Sequence, residues 1–193
     1  MASTIGHAAA ALAVCSALRP ASGVPRQYWW LGALAGVLPD IDVIGPLIGG
    51  PAMAALGGHR AFTHSLVFAA LAGVALTVIT VDRAPTGSPP DWAYRRRIWL
   101  AFALAMASHA GLDSLTTYGE GVTLLAPFDW TRLTAPWHPL GSPGGARGRG
   151  PAARGLLLFA NEAVWVWVPA LVLTASTTVV RRSRRLRAGA PAG

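Results

Sequence analysis

The chain has 193 residues and a formal net charge of +8, with 53% hydrophobic residues but only 12% charged ones. Soluble domains carry about 25% charged residues, so this composition excludes a surface that faces water on every side. The length fits one domain, with residues 1–180 embedded in a membrane and residues 181–193 forming a disordered basic cytoplasmic tail. All 16 basic residues are arginines. Set beside apolar segments and without a nucleic-acid-binding motif, they read as membrane flanks. Cys15 is the lone cysteine, which excludes an intrachain disulfide, and it reads as a small apolar helix residue.

Five apolar segments follow one another. Residues 3–18 are Ala-rich and helical in character, and residues 27–38, "QYWWLGALAGVL", run into a pair of acids. Residues 64–81, 98–115 and 155–180 come next. A crossing helix needs about 20 apolar residues, so the last three are expected to span and the first two are short. Pro169 is expected to kink the last one without ending it. The expected fold is therefore an all-α, multi-pass membrane bundle of four to five helices. Residues 82–97 form a Pro-rich loop ending in Arg95, Arg96 and Arg97. The longest loop, residues 116–154, contains the flexible stretch "GSPGGARGRGPAARG". There is no internal repeat. Arg19, Arg26, Arg95–Arg97 and the tail arginines place their end of the bundle in the cytoplasm. Arg147, Arg149 and Arg154 point the other way, from a long loop where the rule is weaker.

The polar residues gather at the other end. His7 lies near the start of the first segment, Asp40 and Asp42 end the second, and His59 and His64 open the third. His109 and Asp113 close the fourth, and Glu162 falls early in the fifth. On an up-and-down path all of them reach one membrane face, opposite the 82–97 loop. His109 and Asp113, at i and i+4, share a helix face. In "PDID" the acids are i and i+2, which on an extended stretch points both to one side, and Pro39 disfavours helix at Leu38. Thr63 is placed to cap the third helix, leaving His64 in its first turn. Imidazole with carboxylate is the ligand set of zinc, manganese or iron, and this many donors suits two or three ions rather than one. Singly, each residue has a plain structural reading: an interfacial histidine, a solvated helix-end acid, a hydrogen-bonded pair, or Glu162 paired with Arg132 or Arg154. Their convergence favours a site. His138 and Asp129 read as loop and turn residues. Ser65 has no nucleophile elbow around it, no phosphate-binding loop is present, and the tryptophans at 29–30 and 165–167 read as membrane or packing residues.

The segments "LPDID", "HRAFTHSL", "HAGLD" and "LLAPFDW" resemble, in order and spacing, the YdjM-type family of inner-membrane-associated, metal-dependent hydrolases. That family is itself distantly similar to zinc-dependent phospholipase C and single-strand-specific nucleases. The resemblance covers roughly residues 5–165. It implies a metal role for His7, Asp40, Asp42, His59, His64, His109 and Asp113. It also puts Arg60 inside "HRxxTHS", where its planar fork would hold a substrate anion. Glu162 rests on topology alone. The function expected is hydrolysis of a phosphoester, lipid-linked substrates included, by metal-activated water. Asp42, Arg60 and Glu162 are the catalytic candidates, and zinc is the leading metal. The partners expected are the phosphoester and membrane lipids, without nucleic acid. The setting is the inner membrane of a bacterial or archaeal cell, with the site on the non-cytoplasmic face. The alternative is a non-catalytic metal-binding membrane protein: a regulator, an assembly factor or a conduit. A conduit would need polar residues through the bilayer depth, whereas residues 67–79 are apolar.

Overall fold

The computed structural model describes residues 2–43, 57–81, 91–117, 120–141 and 150–188. Residues 82–90, the stretch 142–149 with Arg147 and Arg149, and residues 189–193 lie outside the described residues. Helix α1 spans Thr4–Leu18, and the Ser3 hydroxyl caps it by accepting from the Gly6 N–H at 3.1 Å. Helix α2 spans Gln27–Val37 and runs directly into a 3₁₀ turn, Leu38–Val43. A second 3₁₀ turn, Phe62–His64, precedes α3, Leu66–Val81. Helix α4 spans Trp92–Ser114, with the Asp91 carboxylate accepting from the Tyr94 N–H at 2.7 Å. Helix α5, Pro151–Glu162, passes through a π turn, Ala163–Trp167, into α6, Val168–Ala188, as one continuous rod. The described residues are all-helical, apart from isolated bridges pairing Thr116 with Leu140 and Val122 with Leu133.

Helix α4 is the central element: α1, α2 and α3 pack against it, and α6 lies along α1. Tyr28, Ile98, Phe102 and Met106 fill the core, with Cys15, Ala11, Ala35 and Ala105 between them. Small residues set the spacing, as in helix packing within membranes. A Cβ at Gly36 would lie 2.6 Å from both Ala11 Cβ and the His7 carbonyl oxygen, so α1 and α2 touch backbone to backbone there. A Cβ at Gly73 would sit 3.2 Å from the Ala103 nitrogen on α4. The outer surface stays apolar, with Leu71, Val74 and Val78 of α3 and Leu171, Val172 and Val179 of α6 all exposed.

Among the described helices, Pro151–Arg187 alone is long and apolar enough to cross a membrane by length and composition. Helix α3 has 16 residues, about 24 Å at 1.5 Å per residue, and the apolar run of α4 is broken by His109 and Asp113. "LPDID" is 3₁₀ and not extended: proline's own φ suits the first turn of a helix, and Leu38 keeps φ −55 and ψ −35. Ser65, not Thr63, caps α3, its hydroxyl accepting from the Phe68 N–H at 3.1 Å. The last helix runs on through Ala188, so Arg181–Arg187 are helical where a tail was expected. Pro169 lacks the N–H that would bond the Trp165 carbonyl, and the π turn that widens the helix lies just before it.

The Gly36 contact predicts that Gly36→Ala destabilises the fold by about 1–3 kcal/mol through overpacking. A Cβ placed on Gly111 of α4 would meet nothing within 4 Å, so Gly111→Ala should leave stability unchanged or raise it. Thermal melting of both variants in one detergent checks the pair, and equal melting temperatures for the two would contradict the packing described.

Candidate metal centre

The ends of four elements meet at Asp113. Its side chain is fully buried in the last turn of α4. His7 Nε2, from the second turn of α1, lies 3.5 Å from Oδ1. His64 Nε2 lies 3.5 Å and His109 Nε2 3.9 Å from Oδ2. Asp40 Oδ1 closes the group, 3.7 Å from His64 Nε2 and 3.3 Å from His109 Nε2. Most of these separations exceed the 2.7–3.2 Å of a nitrogen–oxygen hydrogen bond. They match a different length: four donors each about 2.1 Å from a tetrahedral ion stand about 3.4 Å from one another. None of His64 Nε2, His109 Nε2, Asp40 Oδ1 and Asp113 Oδ1 has a hydrogen-bond partner, and Asp113 Oδ2 has an ion pair to Arg60; buried polar atoms without a partner are costly unless something binds them. The Asp40, His64, His109 and Asp113 donor atoms all lie within 4.8 Å of one another, so these residues fit a divalent ion.

The imidazoles are aimed by their far nitrogens. His109 Nδ1–H donates to the Gly36 carbonyl at 2.8 Å, and His64 Nδ1–H reaches the Thr63 hydroxyl oxygen at 3.1 Å. Each bond selects the tautomer whose bare Nε2 faces the centre. Sequence reasoning missed the Gly36 carbonyl, because a backbone acceptor leaves no mark in residue type. His7 stacks on His109 with ring centroids 3.7 Å apart, and neither of its nitrogens has a hydrogen-bond partner. It borders the four-donor group and faces Asp113.

Asp42 and Asp40 point to different neighbours, as i and i+2 must in a 3₁₀ turn. Asp42 Oδ1 accepts from His59 Nδ1 at 2.7 Å. Its Oδ2 accepts from the Thr63 hydroxyl at 2.7 Å and the Arg60 N–H at 3.0 Å. Burial opposes the charge on Asp42, but hydrogen bonds from His59 and Thr63, with the His64 imidazole 3.4 Å from Oδ2, outweigh it and hold this carboxyl well below the usual carboxylate range. Asp40, Asp42 and His59 form a second group of donors within 4.8 Å, adjoining the first through Asp40. His59 is the most exposed member, at 35% of its side chain.

Arg60 is buried, with Nε 3.1 Å from Asp113 Oδ2, while its second terminal nitrogen donates to Thr116 Oγ1 at 3.4 Å. The first terminal nitrogen, Nη1, has no partner. Arg60 is also the one non-glycine among the described residues at positive φ, 61°. That conformation costs about 1 kcal/mol or more and gathers at functional sites. Two backbone bonds hold it: Arg60 N–H to Asp42, and the Thr123 N–H to the Arg60 carbonyl at 3.1 Å. Arg132 donates to the His59 carbonyl at 3.1 Å, so the loop after "LLAPFDW" braces this turn.

Glu162 reaches the same end of the molecule but not the donor group. Its carboxylate accepts from the Ser3 N–H, and from the Ser3 hydroxyl at 2.6 Å, at the start of α1. The pairing with Arg132 does not occur; Arg132 lies 3.7 Å from Glu120 instead. A cavity of about 500 Å³ has Asp40 and Glu162 on its wall, with Ile5, Leu158, Phe159 and Trp167 supplying apolar lining. Asp40, 17% exposed while His64, His109 and Asp113 are closed off, is the donor that meets this cavity. His138 is an exposed loop residue, and Asp129 accepts from the Thr131 N–H at 2.8 Å in a turn.

A family model described as YdjM inner membrane protein matches residues 1–186. Inner membrane protein YbcI of Escherichia coli (strain K12) is 34% identical over 175 residues, covering 90% of this chain and 95% of that protein. No solved structure matches the chain.

The donor geometry predicts that the purified protein carries at least one divalent ion per chain, measured by plasma mass spectrometry. His64→Ala and Asp113→Ala should lose it while His138→Ala keeps it. Thr63→Val, which removes only the partner of His64 Nδ1 and Asp42, should weaken affinity about 10–100-fold.

Proposed function

The chain belongs to the YdjM inner membrane protein family, and from that membership and the buried four-donor group we propose that it is a metal-dependent phosphoester hydrolase. We place it in a multi-pass bundle whose active centre opens to the non-cytoplasmic side. The observation that carries the proposal is the set of nitrogen–oxygen separations around Asp113 and Asp40, which suits an ion and not a hydrogen-bond network. Asp40, His64, His109 and Asp113 hold the ion, zinc first among the candidates. Such an ion supplies charge stabilisation to a phosphoryl group and a lowered water pKa.

The chain's own residues do the rest. Arg60 offers Nη1, its unpartnered donor, to a phosphoryl oxygen, while Asp113 and Thr116 fix the guanidinium plane. Asp42 is committed to His59, Thr63 and the Arg60 backbone, and Glu162 to Ser3. Both are therefore positioning residues. The proton-accepting carboxylate is Asp40, which borders the cavity and, with Oδ1 facing the donor group, offers its other oxygen. That cavity joins a polar wall to an apolar one, which suits an amphiphilic, lipid-linked phosphoester. The arginines Arg19, Arg26 and Arg95–Arg97 lie at the far end of the bundle, which supports putting the centre on the non-cytoplasmic face.

One observation favours a second reading. Four protein donors closing a tetrahedron is the pattern of structural zinc, whereas catalytic sites keep an open position. A non-catalytic metal-binding membrane protein would be built this way.

Turnover decides between them. Metal-loaded protein in lipid nanodiscs is offered bis-p-nitrophenyl phosphate, p-nitrophenyl phosphate and diacyl phospholipids. The hydrolase reading expects turnover abolished by chelation, a kcat about 100-fold lower or worse in Asp40→Asn, and a raised KM in Arg60→Lys. Glu162→Gln should lower thermal stability more than kcat. Full metal occupancy with no turnover on any ester would sink the hydrolase and leave the closed structural site.

A further inference from the structure

At the other end of α1, about 15 Å along the helix from His7 at 1.5 Å per residue, lies a cavity of about 600 Å³. Four arginines line it: Arg97 from α4, and Arg181, Arg184 and Arg185 from α6. The last three stand at i, i+3 and i+4, so they share one helix face. Ala17, at the end of α1, and Val180 add apolar wall. Arg181 also braces the helix pair, because one of its terminal nitrogens donates to the carbonyls of Ala17 and Arg19, each at 2.8 Å. These are among the oxygens that the end of α1 leaves unbonded. That contact ties α6 to α1 and fixes one edge of the cavity. Among the described residues, none of the four guanidinium groups is paired with a carboxylate.

We propose that this cavity is a binding site for the phosphate headgroup of an anionic membrane lipid. Like charges brought to one cavity repel unless an anion sits among them, and a guanidinium fork matches two phosphate oxygens. The position selects the source of the phosphate. The apolar run of α6 ends at Val180 and its arginines begin at Arg181, so the cavity stands where lipid headgroups meet the chain. Basic pockets between helices at that level are where acidic lipids are held. The site is separate from the histidine and aspartate centre and stands whether or not that centre turns over substrate.

Native mass spectrometry of the full chain in detergent tests it, with phosphatidylglycerol, phosphatidylcholine or inorganic phosphate added separately. The comparison is between Arg184→Gln/Arg185→Gln, which strips two lining arginines, and Arg182→Gln/Arg187→Gln, which removes the same charge from the same helix outside the lining. Circular dichroism confirms that both remain folded. Expected are phosphatidylglycerol adducts about tenfold more abundant than phosphatidylcholine adducts in the wild type. They should fall to the phosphatidylcholine level in the first variant and persist in the second. Equal loss in both variants would make the effect general surface charge and overturn the site. So would equal retention of the two lipids, or binding of inorganic phosphate without retention of phosphatidylglycerol.

Discussion

A carboxylate with no access to water is stable only among groups that compensate its charge. Asp113 is that carboxylate here. It is enclosed by His7 from α1, His64 from a 3₁₀ turn, His109 one turn back on its own helix, and Arg60 from the loop before His64. Those groups come from separate stretches of chain, so the helix ends that carry them must meet. The close contact of α1 and α2 at Gly36 permits it. The same glycine offers its carbonyl to His109, so the packing that brings the helices together also sets the tautomer of a ring that faces the donor group.

Around this lies a layer of fixed polar contacts. Asp42 collects His59, Thr63 and the Arg60 N–H, so one carboxylate shapes the whole turn between residues 59 and 64. The left-handed backbone at Arg60 is sustained by that carboxylate on one side and by Thr123 on the other. The strained turn holds a guanidinium with one unpaired donor beside Asp113.

The molecule is polar at both ends in opposite senses. Acids and imidazoles gather where α1 begins and α4 ends, and arginines gather where α1 ends and α4 begins. Between them the outer faces of α3 and α6 are apolar. For an inner membrane protein this division assigns one end to the donor group and the other to basic residues, with lipid-facing surface between. The last helix alone, among the described residues, is long enough to cross a bilayer unaided; the shorter helices carry apolar surface against it and against one another.

The order of the segments, the helical class and the membership of the polar set were legible in the sequence, because each depends on residue type and spacing. Apolar runs fall between polar ends, and His7, Asp40, His64, His109 and Asp113 fall on one face of any up-and-down path. What each polar residue does was not legible. Asp42 and Glu162 have the same chemistry as Asp40, yet one is held by a turn of backbone and the other by the Ser3 cap, and only distances of a few ångströms separate those roles. The 3₁₀ turn of "LPDID" likewise carries Asp42 to partners some twenty residues on, which sequence spacing does not reveal. Sequence determined which groups are present and which end they share; tertiary packing decided which donors face a common point, because hydrogen bonds and metal ligation are settled at contact distance.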